Sequence, residues 1–101
     1  MIKHIVCWKL KESALGRNRK ENAEVMKNML NELKYNIKEI KEMEIGINIE
    51  GLYDGNWDLV LSTTFETTED LEIYQNHAEH EKVKQFVKEV RSERACVDFK
   101  I

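Results

Sequence analysis

A chain of 101 residues, 42% hydrophobic and 35% charged, holds one domain with a modest core and a well-solvated exterior, and it is too rich in dispersed apolar positions to be disordered. The net charge of −3 comes from interleaved acids and bases without a basic stripe, which argues against nucleic acid as a partner; no apolar run approaches a membrane span. The opening Met1–Lys9 has no signal-peptide core, so a cytoplasmic location is expected.

Residues 2–10 alternate strictly. Ile2, His4, Val6, Trp8 and Leu10 share one face, and Lys3, Ile5, Cys7 and Lys9 the other, which reads as a strand. Ser13 to Arg17 reads as a loop containing Gly16. Asn18, three residues before Glu21, forms a capping-box signal. Ala23, Met26, Met29, Leu30, Leu33 and Ile37 then recur at helical spacing, predicting a long amphipathic helix. Alternation returns at Met43, Ile45, Ile47 and Ile49 for a second strand. Gly51 to Asn56 is turn-rich, and a third strand runs from about Trp57 to Phe65 with Leu59, Leu61, Thr63 and Phe65 on one face. Thr67 caps the next helix, and Asn76, three residues before Glu79, marks a second start within residues 68–92. A last strand covers Ala95 to Ile101, with Ala95, Val97, Phe99 and Ile101 on one face.

The order β-α-β-β-α-β predicts an α+β, ferredoxin-like domain spanning residues 1–101, with a four-stranded antiparallel sheet. Right-handed crossovers put both helices on one side. The other side is expected to carry Ile5, Cys7, Val60 and Cys96 among Ser62 and Thr64. That face is too apolar for open water, so a homodimer through it is expected. Cys7 and Cys96 are expected as reduced thiols on the same face of neighbouring strands.

Three histidines bear on function. His4 belongs to the apolar face of the first strand, which more often marks a satisfied core residue than a catalyst. His77 and His80 bracket the second helix start, where the plain reading is a solvated helix end. One i,i+3 pair with Glu79 is a poor ligand set, and no metal or cofactor is expected. No phosphate loop or Ser-His-Asp order occurs. Tyr74 and His80 lie six positions apart, about 240° net around an unbroken helix. They meet His4 in one cavity only if the helix breaks near Asn76.

The segments Met1–Lys11, Glu44–Asn48, Asp58–Phe65, Leu71 with Tyr74–His77 and His80, and Val97–Phe99 together resemble the stress-responsive A/B barrel (Dabb) proteins over nearly the whole chain. The resemblance implies a dimeric α+β barrel with the helices outside. One plant branch, olivetolic acid cyclase, closes a polyketide chain by an intramolecular aldol reaction. Its helix histidine falls on His80, its tyrosine on Tyr74 and its first-strand histidine on His4. Two positions depart: Ala78 stands where the family commonly has proline, and an apolar stretch around Leu59 stands where the cyclase has a third-strand histidine. The resulting expectation is a small apolar pocket that binds or transforms a small carbonyl or aromatic compound. Its catalytic set is His4, Tyr74 and His80, with Trp8, Phe65 and His77 contacting substrate. The competing expectations are a non-catalytic stress-related structural protein and a cofactor-free monooxygenase-like enzyme.

Overall fold

A computed structural model describes all 101 residues. Strand β1 (Ile2–Leu10) leads into a small hairpin of β2 (Ser13–Ala14) and β3 (Arg17–Asn18), then helix α1 (Arg19–Asn36). Strands β4 (Glu42–Ile47) and β5 (Leu59–Phe65) follow, then α2 (Thr68–Asn76), α3 (Ala78–Val90) and β6 (Arg91–Lys100). The main sheet is antiparallel with order β4-β5-β1-β6, the ferredoxin-like arrangement. No helix is long and apolar enough to cross a membrane.

The segment expected as a loop at 13–17 is a hairpin. Leu15 and Gly16 both take positive φ, the conformation a two-residue type I′ turn requires. The buried Asn22 side chain ties this hairpin to α1 by donating to the carbonyl of Ala14 at 3.0 Å. The capping box at the start of α1 forms as the sequence indicates: Asn18 accepts from the Glu21 N–H, and Glu21 accepts from the Asn18 N–H.

The helices pack over β1, β4 and β5. Between them and the sheet lies the core: Val6, Leu10, Met26, Leu30, Leu33, Leu59, Leu61 and Phe65 are essentially sealed from water. Strand β6 is the far edge, and apart from the half-buried Arg91 its residues are exposed. It begins at Arg91, earlier than its alternation announced, because it pairs with β1 through a register shift at Lys9/Leu10.

That register overturns one expectation. Cys96 lies opposite Val6, whereas Cys7 lies opposite Ala95. Directly opposed residues of an antiparallel ladder share a face. Cys96 therefore faces the helix side and Cys7 the open side, and the thiols do not share a face. Ala95, Val97 and Phe99 fall on the open side beside Cys7, Ile5 and Lys3. Both cysteines are free thiols.

Candidate functional site

The site begins with a break in a helix. Helix α2 ends at Asn76, and His77 takes an extended conformation (φ −67°, ψ 138°) as both the last cap of α2 and the first cap of α3. The break is where the sequence places it, but the capping residue differs. His77 Nδ1 accepts from the Glu79 N–H at 3.1 Å, while the Asn76 side chain turns back and donates to the carbonyl of Glu72 at 3.0 Å. Imidazole can cap because its unprotonated nitrogen accepts as an Asn oxygen would. Only this contact, absent from the usual list of capping residues, hid the position.

The break redirects His80. The carbonyl of Tyr74 accepts from the His77 N–H at 3.2 Å and bonds to His80 Nδ1 at 3.1 Å. A carbonyl only accepts, so Nδ1 carries the proton and Nε2 keeps its lone pair. The His80 ring stacks on Tyr74 with centroids 4.2 Å apart and 26° between planes. Tyr74 leans in turn on Phe65 at 5.1 Å and meets His4 edge-on at 6.1 Å.

His4, 2% exposed, comes from the inward face of β1. Its Nδ1 hydrogen-bonds the carboxylate of Asp98, which stands directly opposite on β6. The carboxylate accepts, so His4 Nδ1 carries a proton. The Cys96 sulfur lies 3.6 Å from the same His4 nitrogen. His4, Cys96 and Asp98 each offer one ligand atom, all within 4.8 Å of one another, which gathers three metal donors rather than four.

These groups surround a cavity of about 300 Å³ between the sheet and α2–α3. His4, Trp8, Tyr74 and His80 line it together with Val83 and Val87. Lys84, Lys88, Arg91 and Arg94 also line it. Of the six residues expected at the site, the cavity brings together His4, Trp8, Tyr74 and His80. Phe65 is sealed behind Tyr74, and His77 is occupied as the cap; neither lines the cavity. Asp98, Arg94 and the basic residues of α3 were missed. Asp98 left no signal of its own: placing it opposite His4 depends on the β1–β6 register, which no single strand reveals.

Two buried polar atoms in this wall have no partner, the Tyr74 hydroxyl and the Trp8 indole nitrogen. Such atoms cost free energy unless water or a ligand satisfies them. Burial drives the Tyr74 hydroxyl well above its usual range, with Arg94 opposing and Cys96 adding, so it stays protonated. Burial and then the Lys84 charge press His80 down to about 4, against the pull of its bond to the Tyr74 carbonyl. His80 is therefore neutral at neutral pH. Burial also raises the Cys96 thiol, and Asp98 adds to that. A second hollow of about 330 Å³ on the β4 side is lined by Lys3, Lys41, Glu42 and Glu44, with Met43 its sole hydrophobic residue, and holds no orphaned buried group.

The family model for the stress responsive A/B barrel domain matches residues 2–101. The chain belongs to this family. Among solved structures, a dimeric ferredoxin-like protein of unknown function from Bacteroides fragilis is 29% identical, with TM-score 0.78, covering 99% of this chain and 95% of its own. A dimeric ferredoxin-like protein of unknown function from Thermobifida fusca is 22% identical, with TM-score 0.84 and coverage of 99% and 90%. The hydroxynitrile lyase of Passiflora edulis is 14% identical, with TM-score 0.79 and coverage of 99% and 92%. At these last two identities the likeness is one of fold. No curated protein gives a significant match.

Proposed function

We propose that this A/B barrel domain is a cytoplasmic homodimer that moves a proton on a small carbonyl or aromatic compound held in the cavity of each protomer. The observation that carries the reading is the unpartnered, fully buried Tyr74 hydroxyl stacked against a neutral His80. A hydroxyl held protonated in a dry wall is a hydrogen-bond donor waiting for an oxygen. Beside it, His80 Nε2 carries a lone pair that burial keeps unprotonated.

In this reading His80 Nε2 takes a proton from carbon next to a carbonyl. The C–H electron pair becomes the enolate, and the Tyr74 O–H donates to the oxygen on which charge develops. The proton then returns from His80 to carbon as the enolate collapses. A conjugate acid near 4 makes His80 a weak base, so the substrate C–H must be activated, as between two carbonyls. His4, its Nδ1 held by Asp98, lines the same cavity. The dimer rests on the open sheet face, where Val97 and Phe99 are 54% and 44% exposed, and on the dimeric relatives.

Hydrogen–deuterium exchange at the central carbon of benzoylacetone, followed by NMR, tests the chemistry. The protein should accelerate exchange over buffer, and His80→Ala should remove about 10²–10⁴-fold of that acceleration. Tyr74→Phe should lower it while leaving the fold intact. Exchange no faster than in buffer, or unaffected by His80→Ala, would sink the proposal.

A further inference from the structure

Resting on that reading of the cavity, we infer that its substrate is a small organic anion, a carboxylate-bearing carbonyl compound whose carboxylate is held at the mouth by Lys88, Arg91 and Arg94. Two independent placements converge on this. Along α3 and its exit, His80, Lys84, Lys88 and Arg91 follow at intervals of four, four and three, which sets them in one line up the cavity side of the helix. From the sheet, Arg94 stands opposite Trp8 and so on the same inward face as Cys96 and Asp98. The basic groups thus come from two elements and border one opening.

Of the four basic residues that line the cavity, one is committed and three are free. Lys84 is engaged: it donates to the carbonyl of Gln75 at 2.6 Å and pairs with Glu81 at 3.2 Å. Lys88, Arg91 and Arg94 have no carboxylate within ion-pair distance, although the chain as a whole is acidic. The acid that does line up with them on the inward face of β6, Asp98, is committed to His4. The opening is therefore a cationic mouth leading to a wall with two orphaned hydrogen-bond donors, Tyr74 O–H and Trp8 N–H. An anionic head with an oxygen-bearing body satisfies both ends. Arginine supplies the forked donors that match a carboxylate. The volume of about 300 Å³ lies at the lower end of ligand-site sizes, which suits a single-ring compound.

Benzoylformate and its methyl ester make a matched pair that differs in the charged group. Their binding is read from the intrinsic tryptophan fluorescence and from His80 and Tyr74 NMR shifts. The carboxylate should bind about tenfold tighter than the ester at low salt, the gain of a charge-assisted contact. That advantage should shrink as salt screens the mouth. In the triple variant Lys88→Gln, Arg91→Gln, Arg94→Gln the ratio of the two affinities should fall to near one. Bound benzoylformate should also raise the titration midpoint of His80 from about 4, since the anion offsets the Lys84 charge that presses it down; the ester should not. Equal binding of acid and ester to the native protein overturns the anion assignment while leaving the proton-transfer cavity standing. Absence of binding by both, with His80 and Tyr74 unshifted, overturns both.

Discussion

Strands β1 and β6 lie side by side and alternate equally cleanly, yet they face opposite ways. In β1 the large apolar residues Ile2, Val6, Trp8 and Leu10 point to the helices and are buried. In β6 the apolar set Ala95, Val97 and Phe99 points to the open side, and Arg94, Cys96 and Asp98 point to the helix side. The helices reach over β1 but stop short of the edge. An inward face at the end of a sheet is thus free to be polar, and here Arg94 forms part of one bank of the cavity while Asp98 holds His4, which lines it. Alternation identifies a strand; register and coverage decide which side matters.

The sharpest test of that contrast compares one residue from each strand. Leu10→Ala removes a sealed side chain from the core and should cost about 2–5 kcal/mol in denaturant unfolding. Phe99→Asp, on the open side of β6, should leave the monomer's far-UV circular dichroism native and act on assembly. It places like charges in the proposed dimer interface, a penalty of several kcal/mol, so sedimentation should show monomer. If Phe99→Asp stays dimeric, the open face is not the interface.

Much of this architecture is legible in the sequence for definite reasons. The faces of β1 and β5 follow from period-two patterning, and the capping box of Asn18 and Glu21 places the start of α1. The break before α3 is also visible, and with it the requirement that Tyr74 and His80 converge. What stayed hidden depended on pairing between distant segments. His4 meets Asp98 across 94 positions, and only the β1–β6 register brings them together. The same register inverted the expected sides of Cys96 and Val97. An exposed apolar face on β6 looks in sequence like a buried one, because a partner can cover it as well as a helix.

Acid separates the two banks of the cavity. His80 has the ordinary imidazole value of 6.5 in the unfolded chain and is pressed to about 4 in the fold. Between those values the unfolded chain holds more protons, so falling pH favours unfolding. The stabilisation from neutral His80 is complete above the unfolded value and is lost as pH falls through the window to about 4. Its full size is about 3 kcal/mol. Urea unfolding at pH 7 and pH 4.5 should show most of that loss, and His80→Gln should flatten the dependence. A native protein and a His80→Gln variant with the same pH slope would mean that His80 is not buried as neutral imidazole.

The smallest expected effect concerns the turn that aims His80. Sequence rules place the cap on Asn76, whereas the structure places it on His77, so two single substitutions give opposite answers. His77→Ala removes the acceptor for the Glu79 N–H and should cost about 0.5–2 kcal/mol, the usual range for a lost cap. Asn76→Ala removes an exposed bond to the Glu72 carbonyl and should fall within about 0.5 kcal/mol of the native protein. The Tyr74 carbonyl is shared between the His77 N–H and His80 Nδ1. The His77→Ala substitution keeps that N–H, so its effect on the cavity comes through fraying of the first turn of α3, which carries His80. A His77→Ala protein should therefore show a His80 midpoint moved up towards that of free imidazole, a readout that a purely local loss of helix stability would not produce.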